Sequence, residues 1–153
     1  MTSAVLLMAI DLEILPVDAE QVIDLRHAVL RGGLPRESAR FEGDKQASTV
    51  HFGAFENQRL VGCATMMQRQ WQSEPAWQVR GMAVVPDRRR CGVGTRLLEA
   101  IDSAAIASRI TRLWCNARTP AVPFYQEHGW RVVSDEFVID TAGPHFKMTK
   151  EVG

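Results

Sequence analysis

The chain has 153 residues, 46% of them hydrophobic and 24% charged. That is enough for one core and too little for two ordinary domains, so a single domain over residues 1–153 is expected. Eighteen basic residues balance eighteen acidic ones, and a net charge of zero gives no drive toward nucleic acid or an anionic membrane surface. Three cysteines, Cys63, Cys91 and Cys115, are odd in number and lack paired C-x-x-C or C/H spacing, which supports neither a disulfide framework nor a zinc site.

Met1 to Ile10 is briefly apolar without a basic leader, and Asp11 and Glu13 interrupt it, so no signal peptide is read. No stretch approaches the ~18 apolar residues of a membrane span, and the expectation is a soluble, cytoplasmic protein. Ile10 to Leu15 reads as a first strand. Asp18 with Gln21 three residues on forms a capping-box start for a helix through Leu30, closed by Gly32 and Gly33. Leu34 to Ser48 is polar and reads as a loop with one helical turn. Thr49 to Phe55 and Leu60 to Met67 form a hairpin around Glu56–Arg59, and Trp77 to Val85 continues the sheet. Val93, Leu97, Leu98, Ile101, Ala104 and Ala105 recur at helical spacing. Then come a strand at Arg112 to Cys115, a helix from Ala121 to His128 closed by Gly129, and strands at Trp130 to Ile139 and His145 to Thr149. This order implies an α/β (α+β) domain built on a mixed, largely antiparallel sheet of about six or seven strands with helices on both faces.

The turn Arg88-Arg-Arg-Cys-Gly-Val-Gly94 joins a strand to the long helix, and such a unit is an anion cradle. Helix N-terminal amides lack internal partners and sit at the positive end of the macrodipole, while Gly92 and Gly94 let an anion reach the backbone. The triphosphate loop G-x-x-x-x-G-K-[ST] is absent, because Thr95 and Arg96 follow Gly94. The dinucleotide fingerprint G-x-G-x-x-G fails at Leu97, and the strand around Trp114 ends without an acidic ribose ligand. What remains is R-x-x-G-x-G at Arg89, Gly92 and Gly94, followed by Thr95.

This loop resembles the pyrophosphate loop of the GNAT superfamily of acetyl-CoA-dependent N-acetyltransferases. The stretch Asn116-Ala-Arg-Thr-Pro-Ala-Val-Pro-Phe-Tyr-Gln-Glu-His-Gly-Trp130 is similar to the family's second signature, a short helix bearing Phe-Tyr and ending in Gly plus an aromatic. The resemblance runs from about Glu13 to Met148, with its core at Met82 to Trp130. It implies a splayed pair of parallel strands, before the loop and after the long helix, with the pantetheine arm between them. Backbone groups of Met82, Ala83 and Val84 would pair with that arm or donate to the oxyanion, the latter at a bulge that Gly81 permits. Amides of Arg89, Arg90, Cys91, Gly92, Val93, Gly94 and Thr95 would hold the pyrophosphate, and Asn116 and Arg118 would touch pantetheine or a phosphate. Tyr125, the chain's one tyrosine, takes the general-acid position toward the CoA thiolate.

The implied activity is acetyl transfer from acetyl-CoA to a primary amine by direct attack in a ternary complex, without a metal, nucleic acid or membrane partner. The alternative is a noncatalytic acyl-CoA-binding sensor or interaction module. The base has no acidic side chain in the strand before the loop, where Gln78 and Arg80 stand, so His51, His145 or a water chain are the candidates. His128 is assigned to its helix C-terminus. Cys63 and Cys115 read as buried free thiols, and oxidation or alkylation of Cys91 in the loop would block cofactor entry. Trp77, Trp114 and Trp130 read as core. Trp71, in a polar loop, is a candidate for the acceptor site or for a contact within a homodimer.

Overall fold

The computed structural model describes residues 11–153, and the reading of Met1 to Ile10 lies outside them. Among the described residues, eight strands and three α-helices follow in order: β1 (Glu13–Val17), α1 (Ala19–Leu30), β2 (Val50–Glu56), β3 (Arg59–Gln68), β4 (Trp77–Val84), α2 (Val93–Ala107), β5 (Arg112–Arg118), α3 (Val122–Glu127), β6 (Arg131–Val132), β7 (Phe137–Ile139) and β8 (Gly143–Glu151). The strands hydrogen-bond in the order β1-β2-β3-β4-β5-β8-β6, with β7 on β8. By chain contacts the protein divides into two compact units.

One unit takes the described residues up to Thr65 together with Gly81–Ala100. Its first helix starts as the sequence dictates: the Asp18 carboxylate accepts from the Gln21 amide and the Gln21 side chain accepts from the Asp18 amide, both at 2.9 Å. Ala19, Val22, Ile23 and Arg26 share one face of α1 and are buried. Val22 and Leu25 pack with Cys63 and Ala83, flanked by Val17, Val29, Leu30, Leu60 and Val85. β1 pairs antiparallel with β2, Glu13 opposite Phe55 through Val17 opposite His51, so the first strand begins later than its apolar run suggested.

The other unit takes Met66–Arg80 and Ile101–Gly153. Here β5 pairs antiparallel with β8 along its whole length, from Arg112 opposite Glu151 to Arg118 opposite His145. Leu113, Cys115 and Ala117 are buried, and the alternate residues Arg112, Trp114, Asn116 and Arg118 project from the other face half-buried. The strand expected over Trp130 to Ile139 is two short strands on β8, Arg131–Val132 and Phe137–Ile139. Polar Ser134, Asp135 and Glu136 interrupt the apolar run, and the Ser134 hydroxyl instead accepts from the Lys147 amide at 2.9 Å. The expected strand to Cys115 runs on to Arg118, which places Asn116 and Arg118 inside β5.

Candidate active site

In the first unit, Met82, Ala83 and Val84 form the end of β4, with Ala83 buried and its two neighbours half-buried. Gly81 precedes them at φ +63°, a left-handed conformation that breaks the strand's regular pleat at the position where a bulge was expected. A Cβ there would lie 2.9 Å from Arg26 Nε, so both backbone conformation and space require glycine. Beyond the strand, the Val85 amide donates to Val61 O at 2.9 Å and the chain turns through Pro86–Arg88.

The three arginines that follow separate by environment. Arg88 pairs with Glu56 at 2.6 Å, and its neighbour Asp87 accepts both terminal nitrogens of Arg59 at 2.9 Å. Those pairs fasten the turn to β2 and β3. Arg89 and Arg90 are exposed and enter no ion pair among the described residues. Arg90 and Gly92 both sit at positive φ, +63° and +84°, and among the described residues no atom beyond its chain neighbours lies within 4 Å of the position a Gly92 Cβ would take. The first i→i−4 bond of α2 is from Arg96 N–H to Gly92 O at 3.0 Å, so the amides of Val93 and Gly94 precede the helix's own hydrogen-bond ladder. Left-handed turns feeding a helix start form a concave array of N–H donors suited to an anion.

In the second unit, β4 and β5 are parallel with Trp77 opposite Leu113 and Gln78 opposite Trp114, and the ladder does not continue to Val79 and Cys115. Tyr125 on α3 is buried at 6% exposure, its ring in edge contact with Phe124 and Trp130 at 5.3 Å. Burial, and secondarily the neighbouring Cys115 thiol, push its phenol well above the usual value of 10.0. The hydroxyl forms no hydrogen bond among the described residues. Asn116 presents its side-chain oxygen to Lys147 Nζ at 3.0 Å, and Arg118 ends the same face of β5.

Of the two histidines proposed as the base, His51 has both ring nitrogens engaged. His51 is buried, with Nε2 2.9 Å from Asp44 O and Nδ1 2.7 Å from Thr65 Oγ1. The carbonyl can only accept, so Nε2 carries the proton and Nδ1 takes the Thr65 hydroxyl proton. His145 is also buried and donates from Nδ1 to Gly143 O at 2.7 Å. His128 Nδ1 donates to Phe124 O at 2.8 Å at the end of α3, the helix-terminal role its position implied. Cys63 and Cys115 are buried free thiols, and burial pushes Cys63 up to about 12 and Cys115 further.

Sequence reasoning missed the environment of His51. Arg26, fully buried on α1, donates to both Asp44 oxygens at 2.7 and 3.0 Å, to Ala39 O at 3.0 Å and to Thr65 Oγ1 at 2.6 Å, with its guanidinium 4.1 Å from the Phe41 ring centroid. Arg26 at the helix spacing of Val22 and Ile23 was the available signal. Trp114, expected in the core, is instead half-buried on the face of β5 that also carries Arg112, Asn116 and Arg118.

The profile of the acetyltransferase (GNAT) family matches residues 19–130. An uncharacterised N-acetyltransferase of Bacillus subtilis, YitI, is 28% identical over 145 residues, covering 91% of this chain and 95% of its own length. Escherichia coli ElaA superposes with a TM-score of 0.76 at 20% identity over 93% of this chain and 99% of its own. A GNAT family acetyltransferase of Elizabethkingia anophelis, solved with acetyl-CoA bound, gives 0.69 at 17% identity over 92% and 98%.

Proposed function

Since the chain belongs to the acetyltransferase (GNAT) family, we propose that its loop Arg89–Thr95 holds the acetyl-CoA diphosphate and that Tyr125 serves the leaving thiolate in acetyl transfer to a primary amine. The observation that supports this reading most directly is the loop itself. Gly92 is left-handed with open space around it, Val93 and Gly94 precede the helix's first internal bond, and two exposed arginines lack counter-ions among the described residues. That donor set fits a diphosphate.

The chemistry balances as follows. The amine attacks the thioester carbonyl as its free base and a C–N bond forms. An amide from Met82 or Ala83, beyond the left-handed Gly81, donates to the oxygen that gains charge. The C–S bond then breaks, the amine loses a proton, and the departing sulfur gains one. Tyr125 donates to that sulfur. Its phenol, raised above its usual range, is a weak acid toward a thiol of about 8.5, so it acts chiefly by hydrogen bonding to the thiolate. Asn116 and Arg118 are assigned to the pantetheine arm or a phosphate, and the amine's proton is assigned to water or His145, because the His51 acceptor nitrogen already receives Thr65.

Calorimetry with acetyl-CoA and a CoA-release assay with polyamines, aminoglycosides, amino acids and peptide N-termini test the reading together. Wild-type protein is expected to bind acetyl-CoA and release CoA with at least one amine class, whereas Gly92→Val loses binding while the fold persists. Undiminished affinity in the variant rejects the loop assignment. Binding without CoA release from any amine makes the protein an acyl-CoA sensor.

A further inference from the structure

Lys147 lies on β8 directly opposite Asn116 of β5, so the two side chains leave the same face of the sheet. Its ammonium nitrogen is 3.0 Å from Asn116 Oδ1, 5.2 Å from the Trp114 ring centroid and 5.1 Å from that of Phe137. Phe137 reaches this face because β7 pairs Phe137 with His145, two residues from Lys147 on the same strand. Trp71 extends the aromatic surface, 5.5 Å from Trp114 and tilted by 42°.

This cluster is built rather than incidental. The Trp114 indole donates to Arg69 O at 3.0 Å, which fixes the ring against the loop that carries Trp71. Trp71 and Glu74 exchange both backbone hydrogen bonds, at 3.0 and 2.9 Å, across left-handed Gln72 and Ser73, so a two-residue turn holds the Trp71 backbone in place. All of these side chains are half-buried and still reachable. The Lys147 ammonium is therefore partly desolvated, and its partners are a neutral amide oxygen and two π faces. It forms no ion pair among the described residues. Cation–π contacts offset part of the desolvation cost but leave the positive charge uncompensated.

We propose that Trp71, Trp114, Phe137 and Lys147 form the acceptor site, and that it selects a primary amine bearing a carboxylate and a flat aromatic body, the chemistry of an aromatic amino acid. The carboxylate pairs with Lys147, and the aromatic body lies against the exposed indole and phenyl faces. This rests on the acyl-transfer reading above and adds the acceptor's class to it.

Matched ligands test it on the whole chain: phenylalanine against phenethylamine and tryptophan against tryptamine, which differ by the carboxylate alone. Each is titrated by calorimetry and offered as acceptor with acetyl-CoA. One charge-assisted hydrogen bond makes each acid bind about tenfold or more tightly than its decarboxylated partner. Lys147→Met removes that margin, while affinity for phenethylamine and for acetyl-CoA stays within about twofold, as follows if only the carboxylate contact is lost. Unchanged phenethylamine affinity also shows that the variant is folded. Equal affinity for acid and amine, binding of neither acid, or an intact margin in Lys147→Met overturns the proposal. Weaker acetyl-CoA binding in that variant also overturns it, by assigning the ammonium to the coenzyme. Lysine-dependent binding of the acids without CoA release upholds this site and rejects acetyl transfer. CoA release with polyamines alone upholds acetyl transfer and rejects this site.

Discussion

Tyr125 combines a buried ring with a hydroxyl that no described residue engages. Burial disfavours the phenolate, so the group stays protonated through neutral and mildly alkaline pH and remains a donor. Two outcomes follow at this scale. Tyr125→Phe, which keeps the edge contacts with Phe124 and Trp130, should lower kcat by about 10- to 100-fold while leaving the acetyl-CoA dissociation constant nearly unchanged, as for removal of one acid or donor. Steady-state kinetics beside calorimetry checks this, and a variant with normal turnover removes Tyr125 from the mechanism. In the wild type, kcat measured with an acceptor already neutral should show no loss attributable to phenol ionisation up to about pH 10, because the folded value lies above the ordinary one.

Strand β4 acts as an element through one residue. Gly81 interrupts its pleat immediately before the amides assigned to the oxyanion, and the buried Arg26 guanidinium fills the space where a side chain would go. Gly81→Ala therefore meets two penalties, a left-handed backbone that an L side chain resists and a contact with Arg26. The two together should cost about 2–4 kcal/mol. Urea denaturation checks the magnitude, and a midpoint equal to wild type would show that β4 relaxes without strain. The motif itself is legible in sequence because R-x-x-G-x-G is local: three spacings and a helical period specify a turn opening a helix. The left-handed state of Gly81 is not, since a lone glycine in a strand reads equally well as close packing.

At the scale of the whole molecule, Asp44 links acid stability to the buried Arg26. Burial alone pushes the Asp44 carboxyl up, but the Arg26 hydrogen bonds, the Phe41 amide at 2.8 Å and the charge of Arg26 outweigh it and hold the group below its ordinary 3.8. A depressed folded value means that the unfolded chain takes up the proton first as pH falls. The stabilisation is complete above the unfolded value and drains away through the folded one. Asp44→Asn should therefore destabilise the protein at pH 7 by about 3–5 kcal/mol, the cost of leaving a buried charge unpaired, and should flatten the loss of stability below about pH 4. Thermal melts from pH 7 to pH 2 on both proteins check the slope, and parallel curves would remove Asp44 from acid unfolding.

The sequence by itself determined whatever is set by neighbours along the chain. The capping box at Asp18, the period of α2, the glycine turn before it and the Phe-Tyr helix each depend on residues a few positions apart, where sterics and backbone hydrogen bonding act without help from the rest of the molecule. Only the tertiary structure decided what residues distant in sequence do to one another. It closed Arg26, Asp44, Thr65 and His51 into a buried network that occupies a histidine named as a candidate base. It divided the run from Trp130 to Ile139 into two strands on β8, and it set Lys147 between Trp114 and Phe137. Register and burial assign those partners, and both are settled by the packing of whole strands rather than by any local pattern.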